Sequence, residues 1–273
     1  MRPPRLDISI PEFPADIEWI NASFVRVGTL LGRHAVLVWF WDYCSLNSVR
    51  ALPYLLEWHR RYRESGLRIL AVHSPQFAFA GEIGNVAAAI ARLGIGFPVA
   101  HDARFEVWRD YGNEVWPALY LWDRKGVLRY YHFAEGEYEQ TERAIQELLL
   151  EIDEDLELPD PVAPLRPTDP AGAMVEAPTP HRYFEEDRSG RAVEAGEELS
   201  IRYAGAEAAA VLDGHGPVDV SIDGRPARRL ELDGPRLYEL HETAGHEEHL
   251  LTVRFETPAL AYMFSFAPGL ARP

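Results

Sequence analysis

The sequence predicts an α/β domain, a mixed sheet flanked by helices, followed by an all-β sandwich, and three observations carry that prediction. From Val36 to His73 an apolar run, a stretch with apolar residues at helical spacing, and a second apolar run follow one another as a βαβ unit. From Leu156 to Pro180 the periodicity vanishes and 7 of the 21 prolines fall within 25 residues, the mark of an extended linker. Beyond it, short runs alternate apolar and polar residues between turn signals. The expected organisation is a first domain over 1–155, a linker over 156–180 and a β-sandwich over 181–273.

The first domain opens with a proline-rich lead-in over 1–34, expected as edge structure. Val36 to Trp41 is β-branched and aromatic enough for a buried strand. Val49, Leu52, Leu55, Leu56, His59 and Tyr62 then recur on one face of a helix from about Ser45 to Glu64, ended by Gly66. Leu67 to His73 is the second strand of the unit, and parallel strands joined by a helix imply a sheet covered on both faces. Gly81 to Leu93 reads as an amphipathic helix, Phe97 to Ala100 as a short strand, and Phe105 to Tyr111 as a helical turn. Val115 to Trp122, with Pro117 at its start, turns through Asp123–Gly126 into a strand over Val127 to Phe133, and Tyr138 to Ile152 closes the domain as a helix. In the tail, seven strands are expected: Leu199–Tyr203, Ala208–Leu212, Val218–Ile222, Arg229–Leu232, Arg236–Leu240, Leu250–Phe255 and Ala259–Phe266.

Composition narrows the function classes. A net charge of −16 disfavours nucleic acid and anionic membranes, whose phosphates require a basic surface. A single cysteine excludes an intramolecular disulfide and any zinc site built from several cysteines. The opening M-R-P-P-R-L-D-I-S-I-P-E-F-P lacks the apolar run of a secretory leader, and no stretch reaches the roughly 20 apolar residues of a membrane span. A soluble chain, cytoplasmic by default and with no cofactor or metal, is the expectation.

Chemistry concentrates where the first strand hands over to the first helix. Cys44, Ser45 and Ser48 sit at a helix N-terminus, whose unpaired amides and positive dipole end favour a thiolate. Cys44 reads as a nucleophile or as a small residue packing in the loop. Ser45 reads as a helix N-cap; as a nucleophile it would require a base, and His73 is the histidine placed for that. His241, His246 and His249 with Glu242, Glu247 and Glu248 suggest metal ligands by type, but His241 and His246 are five apart where a helical zinc pair requires four, so a solvated loop is expected. The acids from Glu147 to Glu157 read as a solvated helix end.

In chain order, F-W-D-Y-C-S-L-N-S-V-R-A-L-P, A-V-H-S-P-Q-F-A-F, W-P-A-L-Y-L and H-F-A-E-G-E-Y-E-Q are similar to F-W-T-Y-x-C-I-N-C-x-R-x-x-P, V-H-x-P-E-F-x-F, a cis-proline loop and H-x-G-E-G-x-Y, the motifs of the TlpA-like, DipZ-type branch of the thioredoxin-like thiol-disulfide oxidoreductases, which this first domain resembles. L-D-G at Leu212, R-L-Y at Arg236 and the closing A-Y-M-F-S-F resemble the β-sandwich that follows this domain in DipZ proteins. The resemblance implies a thioredoxin-like fold, a cis peptide before Pro117, and a substrate groove lined by Trp41, Tyr43, Trp116 and Pro117, with Glu135 and Glu137 either at that groove or in a solvated turn. It also implies an extracytoplasmic alternative for the compartment.

Ser45 and Ser48 occupy the positions of the two family cysteines, and Gln76 replaces a glutamate. A serine hydroxyl neither ionises near neutral pH nor carries the redox couple. The leading expectation is therefore a redox-inactive or impaired member that binds a protein or peptide partner. Two alternatives stand beside it: a single-thiol oxidoreductase or peroxidase using Cys44, and a carbohydrate-binding protein acting through the sandwich on a glycan.

Overall fold

The computed structural model describes residues 1–3 and 8–271. The chain divides into two compact units, Met1–Gln76 with Ala80–Pro164, and Phe77–Phe79 with Leu165–Pro273.

The first unit is built on a six-stranded mixed sheet. Its strands are β1 (Glu18–Ile20), β2 (Ala35–Trp41), β3 (Leu67–His73), β4 (Val99–His101), β5 (Ala118–Trp122) and β6 (Leu128–Phe133), in the order β1-β4-β3-β2-β5-β6. β2 pairs parallel with β3, and β3 with β4; β1, β5 and β6 run antiparallel to their neighbours. Every residue of β2 is buried, because helices cover both faces of the sheet. Side chains alternate across a strand. Val36, Val38 and Phe40 enter one cluster with Leu70, Val72, Tyr120 and Trp122, while Trp39 and Trp41 stack 5.2 Å apart. Each such side chain contributes roughly 1.5–3 kcal/mol on burial, which makes β2 the anchor of the unit.

The helices are α1 (Val27–Leu30), α2 (Leu46–Tyr62), α3 (Ile83–Leu93), α4 (Glu106–Asp110) and α5 (Tyr138–Leu150). α2 buries Leu52, Leu55 and Tyr62 of the expected face together with Trp58, leaves Val49, Leu56 and His59 half-buried, and carries basic residues in its last turn where they suit the dipole. Gly94 ends α3 in a left-handed cap.

The second unit is antiparallel β throughout. β8 (Arg182–Tyr183), β9 (Arg191–Val193), β10 (Glu198–Ile222), β11 (Arg225–Asp233), β12 (Arg236–Phe255) and β13 (Ala259–Ala267) form one hydrogen-bonded set; β7 (Val175–Glu176) pairs with β14 (Gly269–Leu270). Three of the expected strands are successive parts of β10, and two are the ends of β12. β10 pairs with β12 from Glu198 to Leu212 and again from Val218 to Ile222, so Leu251–Phe255 lies between two segments of the same strand. The layers thereby share long strands that bend, and their inner faces meet in a core including Leu199, Val220, Leu240, Val253, Phe255, Phe264 and Phe266. One bend falls at Gly205, where the register shifts and where a Cβ would lie 2.7 Å from the Ala267 carbonyl oxygen, so only glycine fits.

The expected polar loop around His241–His249 is instead the middle of β12, paired with Tyr203–Ala208. Its polar side chains did not signal a strand because neither face there is fully buried. No helix among the described residues is long and apolar enough to cross a membrane.

Burial lowers the pKa of His34, His59, His132 and His241 below the ordinary histidine value. Below pH 6.5 the unfolded chain takes up protons that the folded chain refuses, so this stability is present above that pH and is lost as pH falls. Thermal midpoints of the folded chain should therefore decline between pH 7 and pH 5, before the carboxylates titrate. A flat profile over that range would contradict the assignment of these four rings as neutral and desolvated.

Candidate functional site

The site is assembled at the C-terminal end of β2. β2 and β3 stay in register to Trp41 and His73, and β2 and β5 to Phe40 and Ala118, so the turn after β2 lies beside His73 on one side and Pro117 on the other. The Trp116–Pro117 peptide is cis. Trp116 donates from Nε1 to the Ser74 carbonyl at 2.8 Å and packs on Trp108 with ring centroids 4.3 Å apart. Pro117 accepts at its carbonyl from the Ala134 amide, 2.9 Å.

Ser45 is the N-cap of α2, with its Oγ accepting from the Ser48 amide at 3.3 Å. Ser48 is fully buried, and its Oγ accepts from the Asp42 amide at 3.4 Å. Both hydroxyls are thus occupied in closing the turn. Asp42, also fully buried, ties the loop from the other side: its carboxylate accepts from the Cys44 amide at 2.6 Å and from the Gln76 amide, and lies 3.7 Å from Nε2 of His73.

Cys44 is a free cysteine with 0% exposure, and burial first, then the neighbouring Asp42 charge, pushes its thiol well above the ordinary value. Such a thiol is the opposite of an activated nucleophile. Tyr43 is 1% exposed and stacks on His73 at 5.3 Å, with Trp41, 0% exposed, packed edge-on against the same ring. Of the four residues expected to line a groove, Trp41, Tyr43 and Pro117 are buried and Trp116 is half-buried. No base-to-nucleophile hydrogen bond joins His73 to Ser45 among the described residues; neither ring nitrogen of His73 has a hydrogen-bond partner.

Of the two readings given for Glu135, groove or solvated turn, the solvated turn does not describe it. It pairs with Arg50 at 3.4 Å, both side chains nearly inaccessible, and accepts from the Tyr138 hydroxyl at 2.6 Å. Glu137 lies on the exposed side of that turn, 3.6 Å from His132. Sequence reasoning missed Arg50 and Asp42. Arg50 stands in the R-A-L-P end of the strand-to-helix stretch, and Glu135 in E-G-E, so two separately noted motifs are the two halves of one buried pair.

In the second unit the His241 and His249 rings pack edge to face with centroids 5.1 Å apart, but each of the three histidines is engaged by a different partner. His241 Nδ1 hydrogen-bonds Tyr203 at 2.7 Å, His249 Nδ1 hydrogen-bonds Asp223 at 2.8 Å, and His246 faces Glu176 at 3.7 Å. Among the described residues no three His, Cys, Asp or Glu side chains form a metal-binding group.

Comparison with known proteins agrees with this geometry. The family described as the thioredoxin like C-terminal domain matches residues 184–267. Protein DipZ of Mycobacterium tuberculosis is 36% identical over 178 residues, which cover 64% of this chain and 25% of DipZ. The thiol-disulfide oxidoreductase YkuV of Bacillus subtilis is 25% identical over 149 residues, 55% of this chain and 99% of YkuV. NHL repeat-containing protein 2 of Homo sapiens is 31% identical over 132 residues, 48% of this chain and 18% of that protein. The chain thus spans about a quarter of the length of the DipZ proteins it matches. On the strand-to-helix turn, the sheet order and these relatives together, the first unit has a thioredoxin-like fold and the chain is similar to the DipZ-type thiol-disulfide oxidoreductases, with Ser45 and Ser48 standing where that resemblance places a cysteine pair.

Proposed function

We propose that this chain is a redox-impaired member of its family that binds an extended segment of a partner protein at the turn formed by Ser45, Trp116 and Pro117. The observation that carries the reading is the state of its sulfur and hydroxyls. The one thiol is buried and raised in pKa, and the hydroxyl oxygens of both serines at the cysteine positions accept backbone hydrogen bonds that close the turn. No group there supplies a thiolate, and none supplies the second sulfur that resolves a mixed disulfide. Binding is supported by Trp116, half-buried and with no backbone hydrogen bond at its own amide or carbonyl among the described residues. An extended segment can take those two groups as it would at a strand edge. With one thiol and no disulfide to maintain, the reading holds in a reducing or an oxidising compartment alike.

Alkylation of Cys44 tests it. In the folded chain the thiol is expected to resist a small alkylating agent up to pH 8.5 and to react fully once guanidinium unfolds the protein, and neither insulin reduction nor peroxide consumption should exceed that of the Cys44→Ser variant. Rapid labelling of the folded chain with an apparent pKa well under about 8.5, joined to an activity lost in Cys44→Ser, would establish the single-thiol enzyme instead.

A further inference from the structure

The second unit contains a slot of about 760 Å³ whose walls are Thr179–Phe184 and Glu198–Arg202, with Phe264 between them. The slot is bounded by two strand edges whose backbone groups point into it. At one end the edges touch: the Thr179 amide donates to the Ala204 carbonyl at 2.8 Å, and the Ala204 amide donates to Oγ1 of Thr179 at 2.8 Å. Ala204 therefore turns both backbone groups away from β12. Backbone direction repeats every second residue along a strand, so Arg202, Ser200 and Glu198 turn theirs the same way. The partner strand agrees, since Leu250, opposite Arg202, spends its amide and carbonyl on Asp223. On the other wall the Phe184 amide donates to the Tyr262 carbonyl, so Phe184 and Arg182 face β13 and the backbone groups of Tyr183 and His181 face the slot. Past Thr179 and Ala204 no backbone hydrogen bond joins the two edges among the described residues.

The side chains around these edges are of one predominant sign. Arg182, Arg191 and Arg202 line the slot against a single acid, Glu198, in a chain whose net charge is −16, while burial lowers the pKa of the neighbouring His181 and keeps its ring neutral. Arg191 pairs with Glu197, while neither Arg182 nor Arg202 forms an ion pair among the described residues, although Asp223 lies within electrostatic reach of Arg202. Leu199, Ile201 and Phe264 supply apolar surface beneath. An unpaired edge normally invites association unless a proline, a bulge or mixed charge blocks it. Here β10 has no proline from Glu198 to Ala204, and its bulge begins only at Gly205.

We propose that this slot accepts one extended peptide segment, alternating acidic and apolar residues, as an added β-strand: its backbone pairs with Ser200 and Arg202, and its carboxylates meet Arg182 and Arg202. The proposal goes beyond the reading of the first unit and uses none of its residues.

The test uses the full chain and a fluorescein-labelled peptide of about eight residues alternating valine and glutamate. Binding is followed by anisotropy, and the Ser200 and Arg202 amides by hydrogen exchange. Binding is expected together with slowed exchange at those two amides. At least tenfold weakening is expected when alternate peptide amides are N-methylated, and again in the R182E/R202E variant. The N-methylated peptide decides the question on the unaltered protein even if that variant folds poorly. Equal affinity for the N-methylated peptide would reduce the contact to charge attraction and overturn the proposal. So would absence of binding, or displacement of the peptide by an oligogalacturonate, which would make the slot a site for acidic glycan.

Discussion

The S45C/S48C variant is expected to close a reversible intramolecular disulfide and to catalyse insulin reduction well above the level of the unmodified chain. The argument is geometric. Ser45 is the N-cap of α2 and Ser48 stands three residues on, with the Ser45 side chain reaching the Ser48 amide across the first turn. Sulfur at Ser45 would meet the amides and dipole of a helix start, which favour a thiolate, and sulfur at Ser48 would stand behind it as the resolving thiol. The remaining scaffold is in place: the buried β2, the cis-proline loop, and the Arg50–Glu135 pair. The reduction potential should fall within the roughly −270 to −120 mV spanned by dithiols of this kind. The variant is best made with Cys44→Ala, so that disulfide formation is read from two thiols alone. A folded variant that forms the bond yet fails to reduce insulin would show that the site has been remodelled beyond its two sulfurs.

How much of this was legible depends on the range of the interaction concerned. β2, α2 and β3 fall within two residues of their expected ends, because a fully apolar run, a serine cap and a glycine stop are local signals. The Ser45 cap was legible for the same reason. The second unit was legible as β but not as long strands. Register shifts after Gly205 and again between Leu212 and Val218 restart the alternation without ending β10, so one strand of 25 residues reads as three. Arg50 and Glu135 lie 85 positions apart, and nothing local distinguishes a buried ionic partner from a solvated turn residue. Trp41 and Tyr43 illustrate the same limit: an aromatic side chain fits a groove or a core, and only the packing around His73 decides.

The Asp42→Ala variant is expected to destabilise the first unit by about 3 kcal/mol, because its carboxylate is the acceptor for two amides in a loop with almost no solvent access. Removing it strands the Cys44 and Gln76 amides and leaves His73 without the carboxylate 3.7 Å away. At roughly 2–4 °C per kcal/mol for a unit of this size, the midpoint should fall by about 6–12 °C. The first unit can be followed alone, since all seven tryptophans lie between Trp19 and Trp122. Asp42→Asn should recover only part of the loss. Its amide keeps one acceptor oxygen but sets a donor against the other stranded N–H. Asp42 also connects stability to thiol chemistry. Its charge is the second cause, after burial, of the raised Cys44 pKa, so both variants should let Cys44 react faster with an alkylating agent. If the loop merely opens, the gain should track the lost stability and be far smaller in Asp42→Asn. If removal of the charge dominates, the two variants should gain alike despite their different midpoints. A midpoint for Asp42→Ala within a degree of the unmodified chain would mean that Asp42 does not hold this turn.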